Sequence, residues 1–356
     1  VCCVCNASLP KAAYSKAQWS KGAGISRCTQ CIECTVAVPK LSDAQSTRVP
    51  QRILAALHTI EQSNPPSRPI DPVFGRQMES ATEAEAQDIC YDAMEARDMD
   101  AKMSLAMDAL QVFPFSTEAW GILGWCFVDS QDFDLALKMF RAGIACGKKL
   151  DPELNNAKEV EWGILENRPF LRVLHGEMMT HCKAGNTEAA IRCAMKLLEV
   201  NPSDNQGVRY LAIPWLIKHK QFAAADKCLL QYDNTGTFTS FDKVVLSFHK
   251  YAHAQITAES LDASLCQALK DNPFVPQCLL TRADQLPPRR EDGGMISGCM
   301  SEAAAYARES SRHAWESVEG ALHWLQYAKD RCGAVPTEDV LMRLLQHDQL
   351  VVVFKK

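Results

Sequence analysis

The sequence lacks the signatures that announce most enzymes. It holds no G-x-x-x-x-G-K-[ST] phosphate loop, no G-x-G-x-x-G turn and no G-x-S-x-G nucleophile elbow. No apolar run approaches the ~20 residues that cross a bilayer; the final Leu350–Phe354 stretch is far too short. The start is Cys-rich and has no long apolar core, so it does not read as a secretory signal. Val1 is not an initiator methionine, which leaves a preceding segment open. The first histidine is His58, so imidazole is absent from any site near the start. These absences point to a non-enzymatic protein that does not enter membranes.

Cysteine, in contrast, is plentiful. Six of the 16 lie in the first 34 residues, and the other ten are scattered without pairing, mostly where a helix places a small buried residue. A free Cys behaves as a small hydrophobe. The expectation is a reducing compartment, cytoplasmic or nuclear, with no disulfide framework. Net charge is −5, but residues 1–50 carry six Lys/Arg against two acids, +4, which leaves −9 for the rest.

Within the N-terminal cluster, Cys2 and Cys5 are separated by two residues, and so are Cys28 and Cys31. A two-residue gap lets one tight turn present two sulfurs to a tetrahedral ion. The expected cofactor is one structural Zn2+ on Cys2, Cys5, Cys28 and Cys31; Cys3 and Cys34 are spare or alternative ligands. About 34 residues cannot bury a sufficient core, so metal would supply the folding energy. Ser15 to Gln18 forms a capping box at the start of a short helix between the pairs.

These residues resemble a known domain. Cys2-x2-Cys5-Asn-Ala-Ser-Leu-Pro, then Tyr14 to Gly22, then Arg27-Cys-Thr-Gln-Cys31 is similar to the LIM-like zinc domain of proteins that bridge small-RNA silencing machinery to chromatin. The resemblance covers roughly residues 1–36. It implies zinc on the same four cysteines and a protein-docking role. LIM-like domains carry two zinc sites, and nothing after Cys34 supplies a second, so the silencing role does not transfer. Lys11, Lys16, Lys21 and Arg27 beside Tyr14 and Trp19 support an alternative in which the basic module contacts RNA or DNA.

Residues 37–80 form a polar, Pro-rich linker with Asn64-Pro-Pro-Ser-Arg-Pro69 at its centre. One helix is predicted in it, about Val49–Glu61, with Ile53, Leu54, Leu57 and Ile60 on one face. It can dock on either neighbour.

From Ala81 to Pro276 the pattern is helix–turn–helix with a 34-residue period. The clearest unit starts at Thr117 and has Trp120, Leu123, Gly124, Phe127, Ala136, Phe140 and Gly143, at positions 4, 7, 8, 11, 20, 24 and 27. That is the tetratricopeptide (TPR) pattern, in which large residues fill the space between paired helices and small ones allow close approach. Further units begin at Glu83, Leu171, Asn205 and Asp242, and Asp151–Phe170 interrupts the array. Ser203 to Gln206 reads as a second capping box. Residues 277–356 are predicted to hold a loop over Thr281–Gly298 and capping helices near Met300–Ser311, Glu316–Arg331 and Thr337–His347. The fold class is mainly α: a TPR-type α-solenoid with a small zinc-binding module in front.

Two runs, Leu165–Gly176 and Asn201–Arg209, together with Gly320-Ala-Leu-His-Trp324, resemble a group of uncharacterised TPR proteins from microbes and algae. The resemblance spans about 80–328, implies the fold and implies no activity. His175, His181 and Cys182 are close in sequence, but nothing completes a metal or thiol site around them, so they read as packing residues. Arg168 and Arg172 read as partners of nearby acids such as Glu166. The basic-residue/Asn pair of chaperone-tail clamps has no Asn at its equivalent places.

The expected function is an adaptor or scaffold. The zinc module docks one protein, and the concave face of the repeats takes an extended or helical peptide. Groove candidates are Trp125, Arg172, Met179, Arg209 and Ile213.

Overall fold

A computed structural model describes residues 48–69, 79–232, 236–288 and 296–329. The four cysteines expected to hold zinc, the short helix between them and the last capping helix lie outside the described residues. The chain is mainly helical. Among the described residues there are fifteen α-helices and no strand, and the chain divides into two compact units, 1–206 and 207–356. The division falls inside the stretch expected to form one array, 81–276.

Unit one holds α1 (Gln51–Gln62), α2 (Ala81–Glu95), α3 (Met99–Val112), α4 (Thr117–Asp129), α5 (Phe133–Leu150), α6 (Arg168–Lys183) and α7 (Thr187–Val200). Each of α2 to α5 starts on a side chain that satisfies an orphan amide. Ser80 accepts from Glu83 N, Asp98 from Ala101 N, Ser116 from Ala119 N, and Asp132 from Leu135 N. Lys148 and Lys149 close α5, where cations are stabilised by the negative end of the helix dipole.

The pairs α2/α3, α4/α5 and α6/α7 pack as hairpins, and α4 also packs on α2, α3 and α6. So placed, α4 is buried on almost every side. Trp120 is fully buried at its centre and donates its indole N–H to Pro114 O at 3.0 Å. The Phe140 ring from α5 enters between α4 and α6 at Gly124 and Gly176, where a Cβ would collide with it.

The linker helix forms one residue or two from where it was expected and docks on α3. It buries Ile53, Ala56, Leu57 and Ile60. Arg52 pairs with Asp108, and Lys149 Nζ donates to Ile60 O (2.5 Å) and Ser63 O (2.9 Å) at its C-terminal end.

The segment 151–167 is irregular, with two short 3-10 turns. It is fastened at Val160, whose N–H donates to Val200 O (2.6 Å) and whose carbonyl accepts from Asn201 Nδ2 (2.9 Å).

Unit two holds α8 (Arg209–Lys218), α9 (Phe222–Gln231), α10 (Thr237–Ala252), α11 (Ala258–Asp271), α12 (Val275–Leu280), α13 (Met300–Tyr306), α14 (Glu309–Ser317) and α15 (Ala321–Ala328). Helix α10 is its centre, touching α8, α9, α11, α13, α14 and α15. Against α10 lies a buried polar chain: Trp315 Nε1 donates to the Tyr306 hydroxyl (3.0 Å), which donates to Asp242 Oδ1 (2.8 Å).

Three local expectations need correcting. Ser203 to Gln206 is not a helix start: α8 begins at Arg209 without a side-chain cap, and Asn201 instead binds the loop through Asn205 N. The sequence reading missed the short helix α12. Eight described cysteines form no disulfide, but Cys266 is disulfide-bonded, against the expectation of none.

Candidate functional site

A cleft of about 390 Å3 opens in unit one. Helices α2, α4 and α6 supply its walls, the end of α5 and the irregular segment its rim, and Arg68 reaches in from the linker. Because α2, α4 and α6 are the first helices of their hairpins, their N-terminal turns converge here.

Charge pairing organises the cleft. Arg172 Nη1 donates to Glu118 Oε2 at 2.6 Å. Glu118 is 4% exposed, and burial raises its pKa while Arg172 pulls it back down. Across the cleft Arg68 grips Glu83 with two hydrogen bonds, one of them Nε to Oε2 at 3.0 Å. Glu79 lies beside this pair; burial and then Glu83 push its pKa up, and Arg68 opposes them.

At the rim, Arg168 donates to Trp162 O (3.0 Å), and its guanidinium sits 5.2 Å from the Trp162 ring centre. The Arg172 guanidinium lies 5.9 Å from the same ring. Tyr91 and Leu165 line the cleft and remain largely exposed, at 55% and 64%. The cleft therefore joins internally paired charges to an apolar rim, a lining suited to a ligand that carries both kinds of group.

The groove residues named from sequence are distributed as follows. Arg172 is in the cleft, paired with Glu118 rather than with Glu166. Trp125 is half-buried, its ring edge-on to Phe140 at 5.5 Å. Met179 is half-buried on α6. Arg209 belongs to unit two, donates to the Tyr210 hydroxyl (2.7 Å) and lies over the rings of Tyr210 and Tyr232. Ile213, also in unit two, is 1% exposed and offers no surface to a partner.

Sequence reasoning missed Glu118, Glu83 and Arg68. They come from three separate segments and form no motif; only the positions of Glu83 and Glu118 at the starts of successive hairpins hinted at the site. It also missed a cluster at the far end of α6, where Glu177, His181 and Cys193 bring one ligand atom each to within 4.8 Å of the others. The sulfur that reaches His181 is that of Cys193 on α7, not that of its sequence neighbour Cys182.

No family model, curated protein or solved structure matches the chain. Among the described residues no helix is long and apolar enough to cross a membrane.

Proposed function

We propose that this chain is a non-enzymatic adaptor whose helical hairpins form TPR-like units, and that the charged cleft holds a segment of a protein partner. The observation that carries the reading is the Glu118–Arg172 pair. Each is the second residue of its 34-residue unit, Thr117 or Leu171, so equivalent positions of successive first helices meet at the cleft wall. The packing of α4 on both α2 and α6 is the neighbour-to-neighbour pattern of a solenoid. The 20 residues from Asp151 to Phe170 then act as an insertion that adds Leu154 and Leu165 to the rim.

The occupant that fits is an extended peptide with an apolar side chain for Tyr91 and Leu165, flanked by charges of both signs. The N-terminal module, with Zn2+ on Cys2, Cys5, Cys28 and Cys31, would be a second docking site. Selection of a random-peptide library on the immobilised full chain tests the cleft. The expected result is enrichment of one motif, with binding lost in Leu165→Asp and weakened in Arg68→Ala. Enrichment that survives both substitutions, or no enrichment at all, would sink the reading.

A further inference from the structure

We propose that Glu177, His181 and Cys193 form a three-ligand site for a divalent transition-metal ion, with zinc the best fit. Glu177 and His181 are one helical turn apart on α6 and share a face. Cys193 comes from α7, the other arm of the hairpin. The ligand atoms all lie within 4.8 Å of one another. A tetrahedral ion with ligands at ~2.0–2.3 Å holds them roughly 3.3–3.8 Å apart, so the three atoms must close by up to about 1–1.5 Å on binding, a movement that side-chain rotation supplies.

The independent observation is the Nδ1 atom of His181. It is buried without a hydrogen-bond partner, in a residue only 9% exposed. A buried imidazole nitrogen left unsatisfied is destabilising, and a metal ion would remove that cost. The donor set of carboxylate, imidazole and thiolate matches zinc and excludes calcium and magnesium, which take oxygen. On binding, the Cys193 thiol gives its proton to solvent and the sulfur ligates as thiolate. Three protein ligands leave the fourth position to water.

Two cations stand against the site. Arg141 Nε from α5 donates to Glu177 Oε1 at 2.8 Å, so it holds the carboxylate in the metal-free protein. Its side chain is 48% exposed and can withdraw into water. Arg192 on α7 is exposed, so solvent screens its repulsion. Metal and Arg141 therefore compete for Glu177, and the ion would fasten α6 to α7.

The test compares metal content and thermal unfolding of the full chain with those of its variants, each checked for native helicity by circular dichroism. Zinc should raise the unfolding temperature of the wild type. Cys193→Ser and Glu177→Gln, both near-isosteric, should each lose one zinc per chain and that temperature shift. Cys2→Ser with Cys28→Ser should leave this equivalent in place, which separates the two zinc sites. Removing an exposed competing cation in Arg141→Gln should tighten zinc by about fivefold. Unchanged metal content in folded Cys193→Ser and Glu177→Gln would overturn the proposal. Weaker zinc binding in Arg141→Gln would also overturn it.

Discussion

The Phe140 ring occupies the space that a side chain on Gly176 would need, and Gly176 belongs to the next helical hairpin. The same ring stands where a Cβ on Gly124 would lie, 2.7 Å from its atoms. One aromatic residue thus sets how closely α4, α5 and α6 approach. Gly176→Ala should destabilise unit one by about 1–3 kcal/mol, the usual cost of overpacking a full core. Denaturant unfolding measures it. Phe140→Leu should recover part of the loss in the double mutant, because the two positions share one space. A Gly176→Ala protein as stable as the wild type would contradict this packing.

Arg172→Ala leaves the Glu118 carboxylate buried and unpaired. The expected loss is about 1–3 kcal/mol at neutral pH. The sign with pH follows from the raised pKa of Glu118. A carboxyl that holds its proton more tightly when folded favours folding at low pH and loses that contribution as pH rises through its folded pKa. Without Arg172 the upward shift grows, so the variant should lose more stability than the wild type between acid and neutral pH. Parallel stability–pH curves for the two proteins would refute it.

Asp242 in unit two predicts a second pH dependence. Burial raises its pKa to about 8, against the pull of the Tyr306 hydrogen bond, and Oδ2 has no hydrogen-bond partner. The ordinary value is about 3.9, so the folded state binds this proton more tightly. Its contribution to stability is full in acid and falls as pH rises from about 4 towards 8. Asp242→Asn keeps an acceptor for Tyr306 and cannot ionise. Thermal scans across that range should show a flatter curve for the variant and a higher stability than wild type above pH 8.

Lys149→Ala should free the end of α1. The ammonium is a charged donor to Ile60 O and Ser63 O at a helix C-terminus, a contact worth about 0.3–1 kcal/mol. Hydrogen exchange of residues 57–63 should accelerate while α4 amides stay protected. Uniform acceleration across unit one would mean that α1 does not open by itself.

Much of unit one was legible in the sequence. Residues Thr117 to Gly143 gave both arms of one hairpin because large and small residues recur where two helices must touch. Ser116 and Asp132, each a side-chain cap ahead of its helix, mark where those arms begin. The loop at Asn201 misled because a Ser and a Gln at the right spacing form a capping box only if the chain turns helical there. Asn201 instead spends its side chain on Val160 and Asn205. The site was less legible. Sequence proximity points Arg172 to Glu166, whereas its partner is Glu118, 54 residues away.

The sequence by itself determined the helical class, the hairpin built on Thr117 to Gly143 and the irregular break that follows it at 151–167, because periodicity and capping are local properties of the chain. Tertiary structure alone decided which charges pair in the cleft, that Cys193 rather than Cys182 meets His181, and that Ile213 is buried. Those outcomes depend on which helix faces which, and distances across a packed interface are not encoded in the spacing of residues along one strand of chain.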